Sequence, residues 1–403
     1  MIDSIRLKWL LTESDVRAGA EAEALPLLSV SISWGVRRRE ASDTTTRAAS
    51  EDLSNYKLCR AGDLVINRMR AFQGALGIAP EDGVVSPDYA VLRVDATVDK
   101  RWLNYFLTSG FTVATMASLV RGIGGTEAGN VRTPRLNISE LQSMTAPLVP
   151  ADEQRAIADY LDRETARIDT LIEEQQRLIE MLRERRVATI AEELNGYDVT
   201  RLRRLVDRER PMTYGILQCG PPVDGGVVYV GPSDIVGEGR SPERVALRTT
   251  APEIAAAYQR SVLAGGDVIV SIGPAYGKVA VVSDELAGGN LTQDTVRVAL
   301  RHDLVDTRFV VWVLLSRQTT DYWDREIMGA TFRRLNLGTL AKTPIPLPSL
   351  EEQRRIAAYL DQQTAKIDML IAETERFIEL ARERRAALIT AAVTGQTDVR
   401  EMV

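Results

Sequence analysis

The chain has 403 residues, of which 45% are hydrophobic and 26% charged, and its formal net charge is −6. This is the composition of a folded protein with room for two or three domains. Two cysteines and one histidine are too few for a zinc site with a normal ligand set. The sequence lacks the run of about 18 uncharged apolar residues that a membrane span needs, and its first residues lack the apolar stretch of a signal peptide. We therefore expect a cytoplasmic protein.

Residues 1–146 are predicted to form a globular α+β domain. Short β-branched runs at Val84–Val85 and Ala90–Val94 indicate strands, and the pattern near 100–120 indicates a helix. The region carries 17 basic and 17 acidic residues, so it is neutral and able to present a basic face. Its clustered arginines are Arg37, Arg38, Arg39, Arg68, Arg70, Arg132 and Arg135.

Residues 147–196 are predicted to form one long helix. It follows Pro147 and Pro150, ends at Gly196, which suits a C-cap, and would extend about 65 Å at 1.5 Å per residue. Its apolar residues alternate at spacings of four and three, the pattern of a coiled-coil seam. The predicted seam residues are Ile157, Leu161, Ile168, Leu171, Leu178 and Leu182.

Residues 197–346 are predicted to form a second globular domain that repeats the first one faintly. Strands are indicated at Val227–Val230, Val268–Ile272 and Val279–Val282, and a helix near 307–325. The segment Arg135-Leu-Asn returns as Arg334-Leu-Asn. This region has 18 basic and 17 acidic residues, and its basic clusters are Arg201, Arg203, Arg204, Lys278, Arg333 and Arg334.

The last region, 347–403, repeats the long helix. Residues 351–395 match 152–196 at 25 of 45 positions without a gap, 199 residues later in the chain. Its predicted seam residues are Ile356, Leu360, Ile367, Leu370, Phe377 and Ala381. The two helical regions carry 7 basic against 12 acidic and 8 basic against 10 acidic residues, so the net acidity belongs to the helices. The repeat predicts an α+β protein with two similar globular domains, separated by two long antiparallel coiled-coil helices in a pseudo-twofold arrangement.

Plainer interpretations exist for these features. Most single arginines on a neutral domain are solvated or paired surface residues. The helices could be a core hairpin or a dimerising coiled coil, but neither explains a repeat unit that includes a whole globular domain. The charged segments 183–186 and 382–385 could be a solvated face or a docking surface. We find no phosphate-binding loop, methyltransferase motif or nuclease carboxylate cluster, so an enzyme with an unrecognised site is the least favoured alternative.

The chain resembles the specificity (S, HsdS) subunits of type I restriction-modification systems along its whole length. The marker is a proline elbow followed by E-Q-x-x-I-x-x-x-L-D, which occurs from Glu153 to Asp162 and again from Glu352 to Asp361. Loop segments Gly124-Gly125-Thr126 and 329–336 are also similar to the family, although the first copy has an insertion before Arg135. The alternative from another class is an interaction scaffold whose globular domains bind protein.

The resemblance implies a non-catalytic subunit that reads a bipartite DNA target. Regions 1–146 and 197–346 would be target-recognition domains, and 147–196 and 347–403 spacer helices, the second with a C-terminal tail. The helices would dock two methyltransferase (modification) subunits, and restriction/translocase subunits would join them. This chain would bind no cofactor; S-adenosylmethionine, ATP and Mg²⁺ would belong to the partner subunits.

Individual roles are predicted on that basis. Arginine suits guanine recognition because its fork matches O6 and N7. The candidate DNA-contacting residues are Arg37, Arg38, Arg68, Arg70, Arg132, Arg135, Tyr276, Lys278, Arg333 and Arg334. The candidate docking and coiled-coil residues are Glu153, Gln154, Ile157, Leu161, Ile168, Leu171, Glu352, Gln353, Ile356, Leu360, Ile367 and Leu370.

If the helices act as a rigid ruler, inserting one heptad into both should lengthen the rod by about 10 Å. The spacer between the two DNA half-sites should then widen by about 3 base pairs. Sequencing of methylated sites in cells that carry the mutant would measure the spacer. An unchanged spacer would contradict the ruler hypothesis.

Overall fold

The computed structural model describes residues 3–40, 52–120, 135–327, 334–397 and 399. The chain divides into two compact units: the first comprises Met1–Gln175 and Arg376–Val403, and the second Gln176–Glu375. Each unit therefore contains one globular region and parts of both long helices. The domain boundaries that we predicted at 146, 196 and 346 remain predictions.

The strands and helices that begin in the first unit are described here in chain order. The strands are β1 (Ser4–Arg6), β2 (Leu11–Ser14), β3 (Leu28–Ser31), β4 (Gly35–Arg38), β5 (Lys57–Cys59), β6 (Leu64–Asn67), β7 (Leu76–Ile78), β8 (Gly83–Val85), β9 (Tyr89–Val94) and β10 (Thr145–Pro147). The helices are α1 (Lys100–Thr108), α2 (Gly110–Leu119), α3 (Ile138–Ser143) and the long α4 (Ala151–Glu193).

The first unit is built on an antiparallel sheet with the strand order β2-β9-β6-β7. Central strand β6 is buried at every position, and it pairs with β9 so that Asn67 lies opposite Tyr89. Trp102 and Phe106 of α1 stack with their rings 5.8 Å apart and belong to the core on this sheet. Residues 157–161 of α4 and 389–393 of the second long helix pack into the same core. The globular region is thereby fixed to the helices of its own unit.

The second unit contains the remaining elements. The strands are β11 (Val199–Arg201), β12 (Thr213–Tyr214), β13 (Val227–Val230), β14 (Arg248–Thr250), β15 (Val268–Ser271), β16 (Val279–Val281), β17 (Asn290–Leu291), β18 (Thr295–Val298) and β19 (Pro344–Pro346). The helices are α5 (Pro252–Ala256), α6 (Thr307–Leu315), α7 (Arg317–Ile327), α8 (Leu337–Lys342) and the long α9 (Leu350–Val393).

The sheet of the second unit repeats that of the first. Its order is β12-β18-β15-β16, and all pairs are antiparallel. Buried β15 corresponds to β6, and Trp312 of α6 lies in the core with Trp323 of α7. The predicted α+β class, the strands and the two long helices are confirmed. The short β-branched runs locate the strands because they alternate with turn residues.

The single helix that we predicted in each globular region is in fact two helices. Ser109 separates α1 from α2, and Ser316 separates α6 from α7; both residues have an extended backbone. Each serine hydroxyl donates to the carbonyl three residues earlier and accepts the N–H three residues later. The serine stabilises the break because its hydroxyl bonds a carbonyl at the end of one helix and an N–H group at the start of the next. In the sequence, two helices joined in this way have the same apolar pattern as one continuous helix.

A buried glutamine ties each globular region to the start of its long helix. The Gln154 side chain accepts a hydrogen bond from the N–H of Asp99 at 2.9 Å and donates to the Val149 carbonyl at 2.8 Å. Gln353 does the same with Asp306 and Pro348, both at 2.9 Å. Asp99 and Asp306 are the N-caps of α1 and α6. The family's marker glutamine therefore joins two helix starts within each unit.

The seam prediction was right for the first part of each helix and again at Ala381, but wrong at four positions between them. Ile157, Leu161 and Ile168 are buried, as are Ile356, Leu360 and Ile367. A straight helix of 3.6 residues per turn drifts by about 20° per heptad relative to a seam of period 3.5, so the buried stripe gradually leaves the predicted positions. Ile172, Ile179 and Ile378 are buried instead of their predicted neighbours. The predicted seam residues that are exposed are Leu171, Leu178, Leu370 and Phe377.

Gln353→Leu should destabilise the protein by about 1–3 kcal/mol, because the Asp306 N–H and the Pro348 carbonyl would lose a buried partner. Thermal unfolding of the two proteins would measure this loss. Gln362→Leu on the exposed face of the same helix is the matched control and should unfold at nearly the wild-type temperature. Equal effects of the two substitutions would contradict a structural role for the Gln353 amide.

Candidate DNA interface

Three segments of the first unit meet at one end of the central strands; we call them the first loop cluster, comprising residues 68–70, 86–88 and 135–136. Strand β6 ends where β9 begins, since Asn67 pairs with Tyr89. The Leu136 N–H donates to the Arg68 carbonyl at 2.9 Å. The Arg135 guanidinium pairs with Asp88 at 2.8 Å. Antiparallel pairing thus places an arginine and two loops at the same edge of the sheet.

The second unit builds the same arrangement, the second loop cluster, from residues 272–278, 292–294 and 334–335. Here the Leu335 N–H donates to the Ile272 carbonyl at 3.0 Å. Arg334 pairs with Asp294 at 3.1 Å and donates to the Gln293 carbonyl at 2.9 Å. Arg334 follows Arg135 by 199 positions, the separation of the long helices. The two arginines are therefore equivalent in position and in partner.

Other predicted DNA-contacting residues also lie in the loop clusters. Arg68 donates to the Leu136 carbonyl at 3.3 Å, and Arg70 is exposed on the same turn. In the second cluster, Tyr276 and Lys278 flank Gly277, whose φ of +89° suits glycine. The Tyr276 hydroxyl donates to the Asp324 carboxylate, and the Lys278 ammonium donates to the Pro232 carbonyl at 3.1 Å.

The structure places Arg37 and Arg38 apart from the first loop cluster, on β4. The Arg37 guanidinium lies 4.1 Å from the centre of the Trp34 ring and pairs with Glu40 at 3.4 Å. Arg38 binds Glu81 with two nitrogens, and this pairing lowers the pKa of the Glu81 carboxyl. Glu81 follows β7, which runs away from the loop cluster. The acids that pair with Arg37 and Arg38, Glu40 and Glu81, lie outside the three segments of the first loop cluster.

Arg132 and Arg333 lie outside the described residues, as do Gly124, Gly125 and Thr126 and residues 329–333. Both segments directly precede the arginines of the loop clusters in the sequence. Sequence reasoning missed Asp88 and Asp294, the carboxylates that orient Arg135 and Arg334. An ion pair between distant segments leaves no periodic pattern in the sequence. What the two aspartates share in the sequence is that each directly precedes a buried strand.

The predicted docking residues fall into two groups. Gln154 and Gln353 and the first three apolar seam residues of each helix are buried and serve the interior of their own unit. Glu153 and Glu352 are half-buried, and Glu352 accepts from the Tyr197 hydroxyl at 3.1 Å. Arg355 lowers the pKa of the Glu352 carboxyl through a hydrogen bond. Only Leu171 and Leu370 among the docking candidates are exposed apolar side chains.

Exposed apolar residues recur at equivalent positions of the helices, and we call them the helix patches. In the first unit Leu171, Phe377 and Leu380 are 36%, 43% and 47% exposed. In the second unit their equivalents Leu370, Leu178 and Met181 are 48%, 36% and 57% exposed. Contiguous exposed apolar side chains are typical of a surface that another protein covers, and Phe377 and Leu380 are three residues apart on one helix. Each unit carries one such patch.

The part of the chain that the structure describes contains potential metal ligands, cysteines and long helices. No group of three or more potential metal ligands occurs there. Burial raises the pKa of the Cys59 thiol to about 12, which keeps it protonated at neutral pH. None of the described helices combines the length and apolar character required to span a bilayer.

Comparison with known proteins gives these observations a family. Residues 223–378 match the family described as type I restriction modification DNA specificity domain. The EcoBI type I restriction enzyme specificity subunit of Escherichia coli is 25% identical over 298 residues, which cover 66% of this chain and 61% of that subunit. The MjaVIII specificity subunit of Methanocaldococcus jannaschii is 24% identical over 149 residues, 36% of this chain and 34% of that protein. This chain thus spans under two thirds of the length of these relatives.

Two solved structures share the fold over nearly the whole chain. One comes from work on complex assembly and conformational transition of the type I R-M system, with a TM-score of 0.74, 18% identity and 98% of each chain covered. The other is the HsdS subunit of Thermoanaerobacter tengcongensis, with a TM-score of 0.57, 18% identity, and 98% of this chain and 97% of that one covered.

In its fold and in the matched domain, this chain is similar to proteins of the restriction-modification class. More particularly, residues 223–378 are similar to the type I DNA specificity domain. The chain's resemblance to type I specificity subunits is confirmed.

Proposed function

We propose that this chain is the sequence-reading subunit of a type I restriction-modification complex and that it acts in the cytoplasm without catalysing a reaction itself. Each globular region reads one half of a bipartite DNA target. The observation that supports this most directly is the repeated loop cluster, in which Arg135 and Arg334 occupy the same place with the same type of partner. A protein that reads two half-sites needs one such surface in each half.

The chemistry of the two arginines suits base recognition. A guanidinium has five N–H donors, and the aspartate engages only part of that fork. The remaining donors can reach the O6 and N7 acceptors of guanine in the major groove. Exposed ion pairs contribute at most about 1 kcal/mol, so exchanging the aspartate for DNA costs little. The aspartate orients the arginine before DNA arrives.

Affinity for DNA is expected to depend on partner subunits. The globular regions are nearly neutral, with 17 basic and 17 acidic residues in 1–146 and 18 and 17 in 197–346. Non-specific attraction to phosphates needs an excess of basic groups. We propose that two modification subunits dock on the helix patches, supply these contacts and bind S-adenosylmethionine. Restriction/translocase subunits that use ATP and Mg²⁺ then join this core.

Arg135→Ala should relax recognition in one half-site only, and Arg334→Ala in the other. Losing a good arginine contact to guanine lowers discrimination by about 1–3 kcal/mol at that position. Methylation sequencing of DNA from cells that co-express the modification subunit would give the recognised motif for each variant. Arg301→Ala is the control, because Arg301 pairs only with Asp303 at 2.7 Å among the described residues.

Changes in both half-sites from one substitution would argue against independent reading by the two regions. Unchanged motifs in both variants would remove these arginines from the reading set. Gel-shift measurements with and without the modification subunit test the function as a whole: no DNA binding in either state would favour a protein-binding scaffold.

Phe377→Asp and Leu178→Asp each place a charge in the middle of one helix patch. Each variant should bind one modification subunit rather than two, and the double variant none, because burying an unpaired carboxylate in an apolar interface is unfavourable. Native mass spectrometry of the co-expressed complex would count the copies. Val245→Asp, at a position 93% exposed in the second globular region, is the control and should keep both. Two bound copies in every variant would contradict docking on these patches.

A further inference from the structure

Arg186 and Arg385 are equivalent in the helix repeat, but the groups around them differ. In the second unit, Arg186 binds the Glu238 carboxylate and pairs with Asp368 at 3.1 Å. Its guanidinium lies 5.8 Å from the centre of the Trp312 ring, and its side chain is only 16% exposed. Arg186 is thus enclosed by two carboxylates and an aromatic ring.

Glu238 also engages the neighbouring arginine through its backbone. Arg308 donates to the Glu238 carbonyl at 3.1 Å and pairs with Asp361 at 2.7 Å. The Arg308 guanidinium lies 4.8 Å from the centre of the same Trp312 ring. One glutamate therefore closes a site that is built from two arginines and a tryptophan.

The first unit has the same framework. Arg385 pairs with Asp169 at 2.9 Å, and Asp169 is the equivalent of Asp368. Arg101, the equivalent of Arg308, pairs with Asp162 and with Asp159, each at 2.8 Å. Tyr105 takes the place of Trp312 and donates to Asp162 at 2.8 Å. The cations and their helix-borne acids are retained, with Asp159 as an additional partner of Arg101.

The residue that replaces Glu238 is Trp34. Both precede a glycine with positive φ, +69° at Gly35 and +72° at Gly239. Gly35 approaches Gly77 in the middle of β7, and Gly239 bridges to Ala280 in the middle of β16. Because these strands are equivalent edge strands, the two turns occupy the same position. Trp34 carries no charge, so it cannot give Arg385 the carboxylate that Arg186 receives.

A cavity of about 330 Å³ lies at this place in the first unit. The lining residues that matter here are Trp34, Lys100, Arg101, Tyr105, Asp162 and Arg385. Three of these are cations and one is an acid; Asp99, Asp159 and Asp169 pair with the arginines nearby. Lys100 is exposed, and the structure gives it no ion pair with another described residue. Trp34, which is 40% exposed, provides apolar surface in the cavity wall.

We propose that this cavity receives an acidic side chain of a partner protein, whose carboxylate binds Arg385 and Lys100 as Glu238 binds Arg186. The bound acid would be the counterpart of Glu238, which the second unit supplies from its own sequence. The apolar surface of Trp34 would contact residues next to that acid. This inference goes beyond DNA reading, and it makes the two units unequal: the second unit's site is occupied internally, and the first unit's site takes a group from another protein.

The test uses the full-length chain labelled with ¹⁵N and follows the indole N–H of Trp34, assigned with Trp34→Phe. The probe is N-acetyl-L-glutamate methylamide, with the glutamine analogue and inorganic phosphate as comparison ligands. The glutamate probe should give a saturable shift with a Kd on the order of 1–10 mM, as expected for one or two charge-assisted hydrogen bonds. The glutamine analogue should give no saturable shift, and phosphate should bind more weakly.

Matched variants show whether Arg385 carries the binding. Arg385→Gln should weaken glutamate binding by about tenfold or more, since it removes a charged hydrogen-bond donor. Arg376→Gln, which alters an arginine on the same helix that pairs with Glu379 at 3.0 Å, should leave it unchanged. Equal shifts with glutamate and glutamine, equal losses in the two variants, or tighter binding of phosphate would each overturn the proposal.

A second measurement needs no ligand. Trp34→Glu places a carboxylate where the second unit has Glu238, so this variant should unfold at a higher temperature than Trp34→Gln. That difference should disappear in the Arg385→Gln background. A difference that persists without Arg385 would mean that position 34 does not face this arginine, and the proposal would fail.

Discussion

In each unit a neutral hydrogen-bonded group joins the globular region to its long helix: the buried amide of Gln154 in the first unit and of Gln353 in the second. Each amide accepts from the N-cap of a globular helix and donates to the turn before a long helix. A charged residue would incur a large desolvation penalty there, whereas an amide offers both a donor and an acceptor. The globular helix packs on the sheet, and the sheet ends at the loop cluster. This contact therefore helps to fix the orientation of each loop cluster relative to the long helix of its unit.

Some contacts occur in both units, whereas the residue at the strand-edge turn differs between them. The glutamine, the serine that separates two helices and the Arg–Asp pair of the loop cluster occur in both. The strand-edge turn differs, because Trp34 stands where the second unit has Glu238. The glycine after that position fixes the backbone of the turn, so the preceding side chain can change without moving the strand. Variation is concentrated where the backbone is already determined.

The sequence predicted the elements better than the contacts. The 199-residue repeat and the β-branched runs were sufficient for the two long helices, the fold class and five of the strands. The breaks at Ser109 and Ser316 were missed, because a capped break keeps the apolar pattern of one helix. The shift of the seam from Leu171 to Ile172 was missed because 3.5 and 3.6 residues per turn differ too little over a few turns. The acidic partners of Arg135 and Arg334 come from distant segments of the sequence. The equivalence of Trp34 and Glu238 can be recognised only once the positions of the edge strands are known. Arg37 and Arg38 were grouped with the other arginines by composition alone.

The ion pairs of the loop clusters also affect how the protein would respond to salt. An arginine that leaves Asp88 or Asp294 for a guanine edge exchanges one partner for another and neutralises no phosphate. Such a contact releases few condensed counterions from DNA, so its free energy changes little with ionic strength. Contacts to phosphates depend strongly on salt, and on the proposed function they come mainly from other subunits. Discrimination between sequences and attraction to DNA would then be separate quantities, the first set by this chain and nearly constant, the second set by the complex and weakened as salt rises.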